Sequence, residues 1–368
     1  NTRSLNPKRG EVHKNKIPYN TMLLTPNEIK EQTRDLWRIC FDDSEEFMDI
    51  YFQDKYTPES NLTVRHDGRV VSAMQLLPYR LTFYGSVQHA GYISGLGTLP
   101  EFRRRGYAAN LLNEAHRRLY AQGSTISFLV PGSEELRKYY ARPEHGAYWT
   151  AVYRQELPLD VSQDGAFDKI EVSRPDEWGQ DLYVFYRRLT SELPFMVHPS
   201  ENDFFAALEL ADLQDGYVLV AHRKRRLIGF CLAVKEPNGR VYIRTLALTE
   251  TNTRAAFVDY LCRECGVDKV YRRFCLPGSV KETVPYAMAR VINVPRFLNS
   301  IAKPNPGFQL HIGIDGDMVL PENNGWYIVE NGKVRLTDLK PDSVVTPGGL
   351  AAMFMAAQPM VMDLLLDE

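Results

Sequence analysis

The sequence predicts an α/β (α+β) protein with two mixed-sheet domains in tandem and a smaller α+β domain at the end of the chain. Residues 91–119 show a strand, a turn rich in glycine and arginine, and an amphipathic helix. Residues 217–230 repeat the strand, charged turn and strand of residues 62–73, which favours an internal duplication. From about residue 285 the chain changes to short strands joined by polar turns. The predicted segments are a loose tail at 1–20 and domains at 21–160, 161–284 and 285–368.

The overall composition is that of a soluble globular protein. The 368 residues are 44% hydrophobic and 24% charged, as in average globular domains. A net charge of −2 creates no field that would attract nucleic acid. The first twenty residues are polar and basic, and no run of about eighteen uncharged apolar residues occurs. We therefore expect a cytoplasmic protein with no nucleic-acid or membrane partner, and the sequence leaves a homo-oligomer open.

The cysteines predict neither a disulfide framework nor a metal site. There are five, an odd number spread along the chain, whereas disulfide frameworks use paired cysteines in short secreted chains. Cys262 and Cys265 have the spacing of a zinc or redox pair, but only Cys275 follows them and structural zinc requires four ligands. Because the pair falls within a predicted helix, we expect packing cysteines and no metal.

The turn between the predicted strand and helix at 91–119 is the candidate binding site. It carries Gly106 and three consecutive arginines at 103–105. The first turn of a helix leaves its backbone N–H groups unpaired, and the helix dipole favours an anion there. Gly106 has no side chain to obstruct the backbone, and guanidinium groups offer forked donors to phosphate oxygens. The turn therefore predicts a phosphate or pyrophosphate site, the alternative being a solvated, basic helix N-terminus.

The same turn carries a resemblance to a known family. Arg103-x-x-Gly106-x-Ala108 resembles the (Arg/Gln)-x-x-Gly-x-(Gly/Ala) signature of the GNAT acetyltransferases. The resemblance implies that this loop holds the pyrophosphate of acetyl-CoA, the co-substrate, and that the preceding strand lies along its pantetheine. The implied cofactor-binding residues are Leu96, Gly97, Thr98, Arg103, Arg104, Arg105, Gly106, Tyr107, Ala108 and Ala109.

The elements before the turn follow the order of the GNAT fold. Thr25 and Glu28 form a predicted capping box that opens a helix through about Ile39. Ser44 opens a shorter helix, and Asp67-Gly68 marks a hairpin between two strands. Helix, helix, hairpin, strand, arginine-rich loop and helix is the order found in that family.

The segment after the cofactor helix contains the candidate general acid. Residues 124–130 read as a strand parallel to the first, and a short helix at 136–141 carries Tyr139 and Tyr140. In GNAT enzymes the corresponding helix presents a tyrosine to the thioester sulfur, so the resemblance implies Tyr140 as the acid. The spacing from Tyr140 to Gly146 is longer than is usual in the family, which leaves Tyr139 open. The alternative is that both tyrosines only pack.

The middle of the chain resembles a degraded second copy of the GNAT pattern. Residues 240–248 stand where the cofactor strand would be, and residues 251–257 stand where the arginine-rich turn would be. This second turn has no glycine, so Cβ atoms would obstruct a backbone approach to pyrophosphate. We expect a structural copy without cofactor. The alternative is that α/β segments resemble one another without duplication.

The C-terminal part extends the resemblance. Asn331-Gly332 is a strong hairpin signal among short strands, and an apolar helix begins near Thr346. A sheet followed by an apolar helix resembles a sterol-carrier-protein-like domain, and residues 287–295 resemble the segment that begins it in the Eis-type acetyltransferases. That family consists of an active GNAT domain, a degenerate GNAT domain and a sterol-carrier-like domain.

Two functions of different classes follow. The resemblance implies an acetyl-CoA-dependent N-acetyltransferase that acts on an amine, with aminoglycosides, polyamines or the lysine side chain of a peptide as candidate acceptors. The alternative is a lipid- or small-molecule-binding protein that uses its C-terminal domain and carries a weakly active GNAT scaffold. The intact arginine-rich turn favours the enzyme, because a lipid carrier has no need of it.

Acidic residues at two places are candidates for handling the amine. Asp42 and Asp43 lie in the loop between the first two helices, where acceptor-contacting residues occur in the family, although a solvated capping pair is the alternative. In Eis-type enzymes the C-terminal carboxylate helps to deprotonate the substrate, which implies Glu368 here. The apolar residues 364–366 predict that this end is docked; the alternative is that they complete a core while the acids face solvent.

Overall fold

The computed structural model describes residues 24–160 and 169–365. The predicted tail at 1–20 lies outside the described residues. No helix in the described part of the chain is long and apolar enough to cross a membrane.

The first part of the chain alternates helices and long strands. Thr25 forms the predicted capping box with Glu28, and Ser44 caps the second helix. The elements are α1 (Pro26–Cys40), α2 (Glu45–Ile50), a π-helical turn (Tyr51–Lys55), β1 (Asn61–His66), β2 (Arg69–Phe83), β3 (Ser86–Thr98), α3 (Tyr107–Ala121), β4 (Ile126–Leu129), α4 (Glu134–Tyr140) and β5 (Trp149–Asp160).

The remaining elements include the second strand–helix series and the C-terminal hairpins. Asn331 and Gly332 adopt φ angles of 52° and 72°, as a tight hairpin turn requires. The elements are β6 (Glu171–Ser173), α5 (Gln180–Thr190), β7 (Met196–His198), α6 (Glu201–Leu213), β8 (Tyr217–Arg223), β9 (Arg226–Lys235), β10 (Val241–Leu248), α7 (Thr253–Cys265), β11 (Lys269–Leu276), β12 (Val284–Val291), α8 (Val294–Ala302), β13 (Leu310–Ile314), β14 (Gly325–Glu330), β15 (Lys333–Leu336), β16 (Val344–Val345) and α9 (Pro347–Met355).

A twelve-stranded mixed sheet dominates the described structure. Its order is β1-β2-β3-β4-β12-β5-β11-β10-β9-β8-β6, and β7 pairs with β2. The strands β1, β2 and β3 are antiparallel and β4 is parallel to β3; β8, β9, β10 and β11 repeat this pattern around α7. The predicted mixed α/β fold is confirmed. The repeated order agrees with the proposed duplication, which stays a prediction.

Strand β12 joins the large sheet rather than the C-terminal one. The sequence places it at the start of the predicted domain 285–368, but Met288 pairs with Leu129 of β4 and Ala289 pairs with Trp149 of β5. The four-stranded sheet β15-β14-β13-β16 contains the other C-terminal strands. The residues of β12 from Ala287 onward are all buried, so both faces of this part of the sheet are covered by other elements. The domain limits stay predictions. In the described structure, strands up to residue 291 belong to the large sheet and later strands belong to the four-stranded sheet.

The C-terminal segment is docked as far as it is described. The Val361 N–H donates to the Phe195 carbonyl over 2.8 Å, and the Val197 N–H donates to the Val361 carbonyl over 2.9 Å. Leu364 and Leu365 are buried in the main apolar core. The predicted docking is therefore confirmed for residues up to 365. Leu366 and Glu368 lie outside the described residues.

Candidate active site

The arginine-rich turn joins the end of β3 to the start of α3, as the sequence predicts. Gly106 is the N-cap residue, with a φ of 78°, and no side chain caps the helix. Arg104 is also left-handed, with a φ of 62°. The N–H groups of Tyr107, Ala108 and Ala109 belong to the first helical turn, where no intrahelical acceptor exists. The turn thus presents unpaired donors at the positive end of a helix dipole.

The space beside Gly106 is open. A Cβ atom built on this residue meets no atom within 4 Å, so its backbone can be approached from solvent. The constraint on the residue type is its positive φ, which favours glycine over residues with a Cβ. This cradle, defined as residues 103–109, has the donor set and the access that a pyrophosphate group requires.

The three arginines of the cradle are exposed and available to an anion. The Arg103 Nε donates to the Thr98 carbonyl over 3.0 Å, and an Arg105 Nη donates to the Glu101 carbonyl over 3.0 Å. Within the described residues, no carboxylate forms an ion pair with any of the three guanidinium groups. Their charge is therefore not neutralised by the protein around them.

Strand β3 extends beyond its pairing with β4. The two strands pair only from Ala90 with Ile126 to Tyr92 with Phe128, whereas β3 continues to Thr98. A register shift against β2 coincides with Gly95, whose φ is 57°. A bulge of this kind bends a strand away from its neighbour. The last part of β3, which leads to the cradle, is therefore not hydrogen-bonded to β4.

Aromatic side chains of the N-terminal helices cover the bulge. A Cβ atom on Gly95 would lie 2.0 Å from the Trp37 ring, so glycine permits this close packing. The Tyr51 hydroxyl and Ser94 Oγ are 2.7 Å apart on the same side. The sequence analysis missed Trp37, Tyr51 and Ser94. The Ser94-Gly95 pair was the only available signal.

The two candidate acidic residues near these helices have different environments. Asp43 Oδ2 accepts a 2.7 Å hydrogen bond from the Trp37 indole N–H, so it has a structural partner. Asp42 is exposed. Their predicted contact with an acceptor amine stays a prediction.

Tyr140 and Tyr139 face different surroundings at the end of α4. Tyr140 is 8% exposed and packs in one apolar cluster with Ile93 of β3 and Leu129 of β4. Tyr139 is half-buried and stacks on His145, with ring centroids 3.8 Å apart. Burial raises the pKa of the Tyr140 hydroxyl above that of an ordinary tyrosine. Tyr140 therefore belongs to the apolar cluster, whereas Tyr139 is only partly buried against it.

A buried polar cluster that the sequence analysis missed holds the loop after α4. Gly146 has a φ of 106°, and a Cβ atom there would lie 2.8 Å from the His116 ring and 2.7 Å from the Tyr148 ring. Its carbonyl accepts a 2.9 Å hydrogen bond from Arg290 of β12, which is bound to Asp317 over 2.5 Å. A charged residue within the apolar run 287–294 was the available signal.

His116 and Tyr148 complete this cluster. The Tyr148 hydroxyl lies 2.8 Å from His116 Nε2 and 2.7 Å from Ser127 Oγ. Burial, followed by the charge of Arg290, lowers the pKa of His116 well below its usual value. His116 is therefore neutral at pH 7 and serves to connect α3 with the loop that follows Tyr140.

The described residues contain no group of His, Cys, Asp and Glu that could hold a metal ion. Cys262 is buried in α7, Cys265 is partly buried, and both are free thiols.

Comparison with known proteins identifies the region that contains the cradle. Residues 23–143 match the family model of the acetyltransferase (GNAT) domain. The chain carries a GNAT acetyltransferase domain. The predicted enzyme class is thereby confirmed, and the cradle, Tyr140, Asp42 and Asp43 all lie within the matched residues. No curated protein sequence matches the chain.

Several solved structures resemble the chain over most of its length. A GCN5-related N-acetyltransferase from Anabaena variabilis superposes with a TM-score of 0.71 at 19% identity, covering 89% of this chain and 87% of that one. One from Kribbella flavida gives 0.68 at 17% identity, covering 91% and 88%. Eis1 from Mycobacterium abscessus gives 0.66 at 15% identity, covering 90% and 88%. At these identities the likeness establishes the fold.

Proposed function

We propose that this chain transfers an acetyl group from acetyl-CoA to an amine. The observation that carries the proposal is the uncapped start of α3, with Gly106 left-handed and three exposed arginines beside it. Phosphate groups bind where unpaired helix N–H groups and a positive dipole end coincide. The GNAT domain match supports the same co-substrate.

The residues of β3 and the cradle would divide the binding of acetyl-CoA between them. The N–H groups from Arg104 to Ala109 would hold the pyrophosphate, and backbone groups of Leu96 and Thr98 would hold the pantetheine. Gly97 allows α1 to pack close behind them, because a Cβ atom there would lie 3.0 Å from Leu36. When bound, the thioester supplies the acetyl group and a thiolate leaving group. A backbone N–H near Leu96 would stabilise the oxyanion that develops on the acetyl carbonyl.

Tyr140 would act as the general acid. Its burial raises the pKa of the hydroxyl, so it is protonated at neutral pH and can donate to a thiolate, whose conjugate acid has a lower pKa. Trp37 and Tyr51 are buried beside the bulge, so they would support this part of β3 rather than contact the acceptor. Asp42 and Asp43 would attract a cationic amine, with Asp43 also holding Trp37 in place.

The experiment that tests this function measures thiol release from acetyl-CoA with a panel of amines. The panel contains an aminoglycoside, a polyamine and a lysine peptide, and the control omits the amine. Release that depends on the amine is expected with at least one class. If no member releases thiol above the control, the alternative of a binding protein is favoured.

Gly106→Val is expected to raise the acetyl-CoA Kd and KM at least about tenfold or to abolish binding. A valine is strained at a positive φ, so the cradle would rearrange and its N–H groups would no longer converge on one anion. Calorimetric titration with acetyl-CoA measures the effect. Gly239→Val is the matched control, because Gly239 has a φ of 81° and equally open surroundings but lies far along the chain in the β9–β10 turn. Equal acetyl-CoA affinity in both variants would remove the cradle assignment.

A short polar tail appended after Glu368 is expected to lower kcat/KM at least about tenfold, near 1.4 kcal/mol of transition-state stabilisation. If the chain ends natively at Glu368, its carboxylate would help to deprotonate the substrate ammonium, and the tail would displace that charge. The melting temperature should not change, because the docked residues up to 365 are untouched. The same tail on the N-terminus is the control. Full activity of the C-terminally tailed protein would exclude the carboxylate as a base.

A further inference from the structure

A cavity of about 820 Å³ lies away from the cradle, between the β2–β3 hairpin and the segment from α5 to α6. Small-molecule sites usually occupy roughly 300–1,000 Å³. His89, near the start of β3, lines the cavity, whereas the cradle follows Thr98 at the end of that strand. At about 3.3 Å per residue, the nine positions between them span ~30 Å. The cavity is therefore separate from the proposed acetyl-CoA site.

Four basic side chains line this cavity, which we call the basic groove. They are Arg80, His89, Arg187 and His198. Arg80 of β2 pairs directly with His89 of β3 on one side and with His198 of β7 on the other. Directly paired residues of antiparallel strands point to the same face, with Cβ atoms about 4.5–5.5 Å apart. The three side chains thus form a row across three strands. Arg187 reaches the same cavity from α5.

The charges of the groove are not neutralised by ion pairs. Arg80 and Arg187 are exposed, and neither forms an ion pair with a carboxylate of the described residues. Burial lowers the pKa of His198, and the charges of Arg80 and Arg187 lower it further, against the opposing effect of Glu192. The two arginines therefore act together on one point of the groove. His198 Nε2 lies 3.0 Å from Thr82 Oγ1.

We propose that the basic groove binds a small molecule through one anionic group, a phosphate monoester or a carboxylate. Arg80 and Arg187 would supply forked donors from opposite walls, since guanidinium groups match the geometry of both anions. Thr82 and His198 would add neutral hydrogen bonds. Glu192 and Glu201 also line the cavity, and their charge disfavours polyanions. The ligand therefore carries a single anionic group.

The test is calorimetric titration of the full chain with inorganic phosphate, with glycerol phosphate and with acetate, each at constant ionic strength. Saturable binding of a phosphate or of the carboxylate is expected. The ligand with the lower Kd shows whether the groove prefers a phosphate or a carboxylate. Arg80→Gln combined with Arg187→Gln should weaken that binding at least about tenfold, because two charge-assisted contacts are lost. The acetyl-CoA affinity and the melting temperature of this double variant should match those of the unmodified chain.

Two controls separate the groove from other sources of anion binding. Arg188→Gln removes a neighbouring charge of α5 that does not line the cavity, and it should leave binding unchanged. Gly106→Val disturbs the cradle, which also suits phosphate, and it should likewise leave binding in the groove unchanged. Absence of saturable binding would overturn the proposal. Unchanged affinity in the double variant, or an equal loss in either control, would overturn it as well.

Discussion

Asp317→Ala is expected to lower the free energy of unfolding by about 3–5 kcal/mol, the usual cost of breaking a buried ion pair from one side. Arg290 and Asp317 have side chains that are 1% and 0% exposed. The substitution leaves a guanidinium group without its counter-charge in a place that water does not reach. Denaturant unfolding measures the change.

The same substitution releases several other groups. Asp317 Oδ2 accepts from Asn323 over 2.8 Å, and Oδ1 accepts from the backbone N–H groups of Val319 and Leu320 over 3.3 Å and 3.1 Å. Each buried donor that loses its acceptor contributes to this cost. The effect therefore belongs at the upper end of the range for single substitutions.

A surface pair provides the matched control for Asp317→Ala. Arg335 and Glu330 are 3.0 Å apart, with side chains 55% and 46% exposed, and pairs of this kind contribute about 0–1 kcal/mol. Glu330→Ala should therefore change stability little. If Asp317→Ala does not fold, Arg290→Met combined with Asp317→Asn restores a neutral interior and should recover folding, because the amide oxygen still accepts from the Val319 and Leu320 N–H groups. A loss below about 1 kcal/mol in Asp317→Ala would contradict the assignment of a dry ion pair.

The Arg290–Asp317 ion pair also connects the C-terminal part of the chain with the candidate active site. Arg290 lies on β12, between β4 and β5, and its second contact is the Gly146 carbonyl. Gly146 lies in the loop that follows Tyr140. A change at Asp317 is therefore transmitted to the segment that carries the candidate acid, although Asp317 does not take part in the chemistry.

Local features were predictable from the sequence because their causes are local. The Thr25 capping box, the Asp67-Gly68 hairpin and the turn at Gly106 depend on residues within one turn of each other. Short-range patterns identify such features regardless of the rest of the fold. The turn at residues 103–109 is therefore predictable without knowledge of any tertiary contact.

The features that were missed depend on contacts between distant segments. Hydrophobic pattern marks residues 284–291 as a buried strand, but it does not specify that β4 and β5 are its neighbours. The basic groove combines Arg80, His89 and His198 from three strands, and nothing in the sequence near Arg80 indicates the other two. Strand pairing depends on the whole sheet. Local hydrophobic periodicity therefore does not predict which polar residues the sheet brings together.

Tyr140→Phe is expected to lower kcat about 10²- to 10⁴-fold, the usual contribution of a general acid, with little change in the acetyl-CoA Kd. The substitution removes one hydroxyl and keeps the ring that packs with Ile93 and Leu129. Steady-state kinetics with the best acceptor of the amine panel, together with calorimetric titration of acetyl-CoA, measures both quantities. A fall in kcat without a fall in affinity separates proton donation from binding.

Tyr139→Phe is the matched control, because it removes the same group from the neighbouring residue of the same helix. Tyr139 is half-buried, stacks on His145 and only borders the apolar cluster that includes Tyr140, so its hydroxyl should contribute little to kcat. The raised pKa of Tyr140 keeps its proton in place up to at least about pH 10, the ordinary value for tyrosine. The unmodified enzyme should therefore show no alkaline loss of kcat below that pH from this group. A larger loss in Tyr139→Phe than in Tyr140→Phe would reassign the acid, and with it the register of the helix against the thioester.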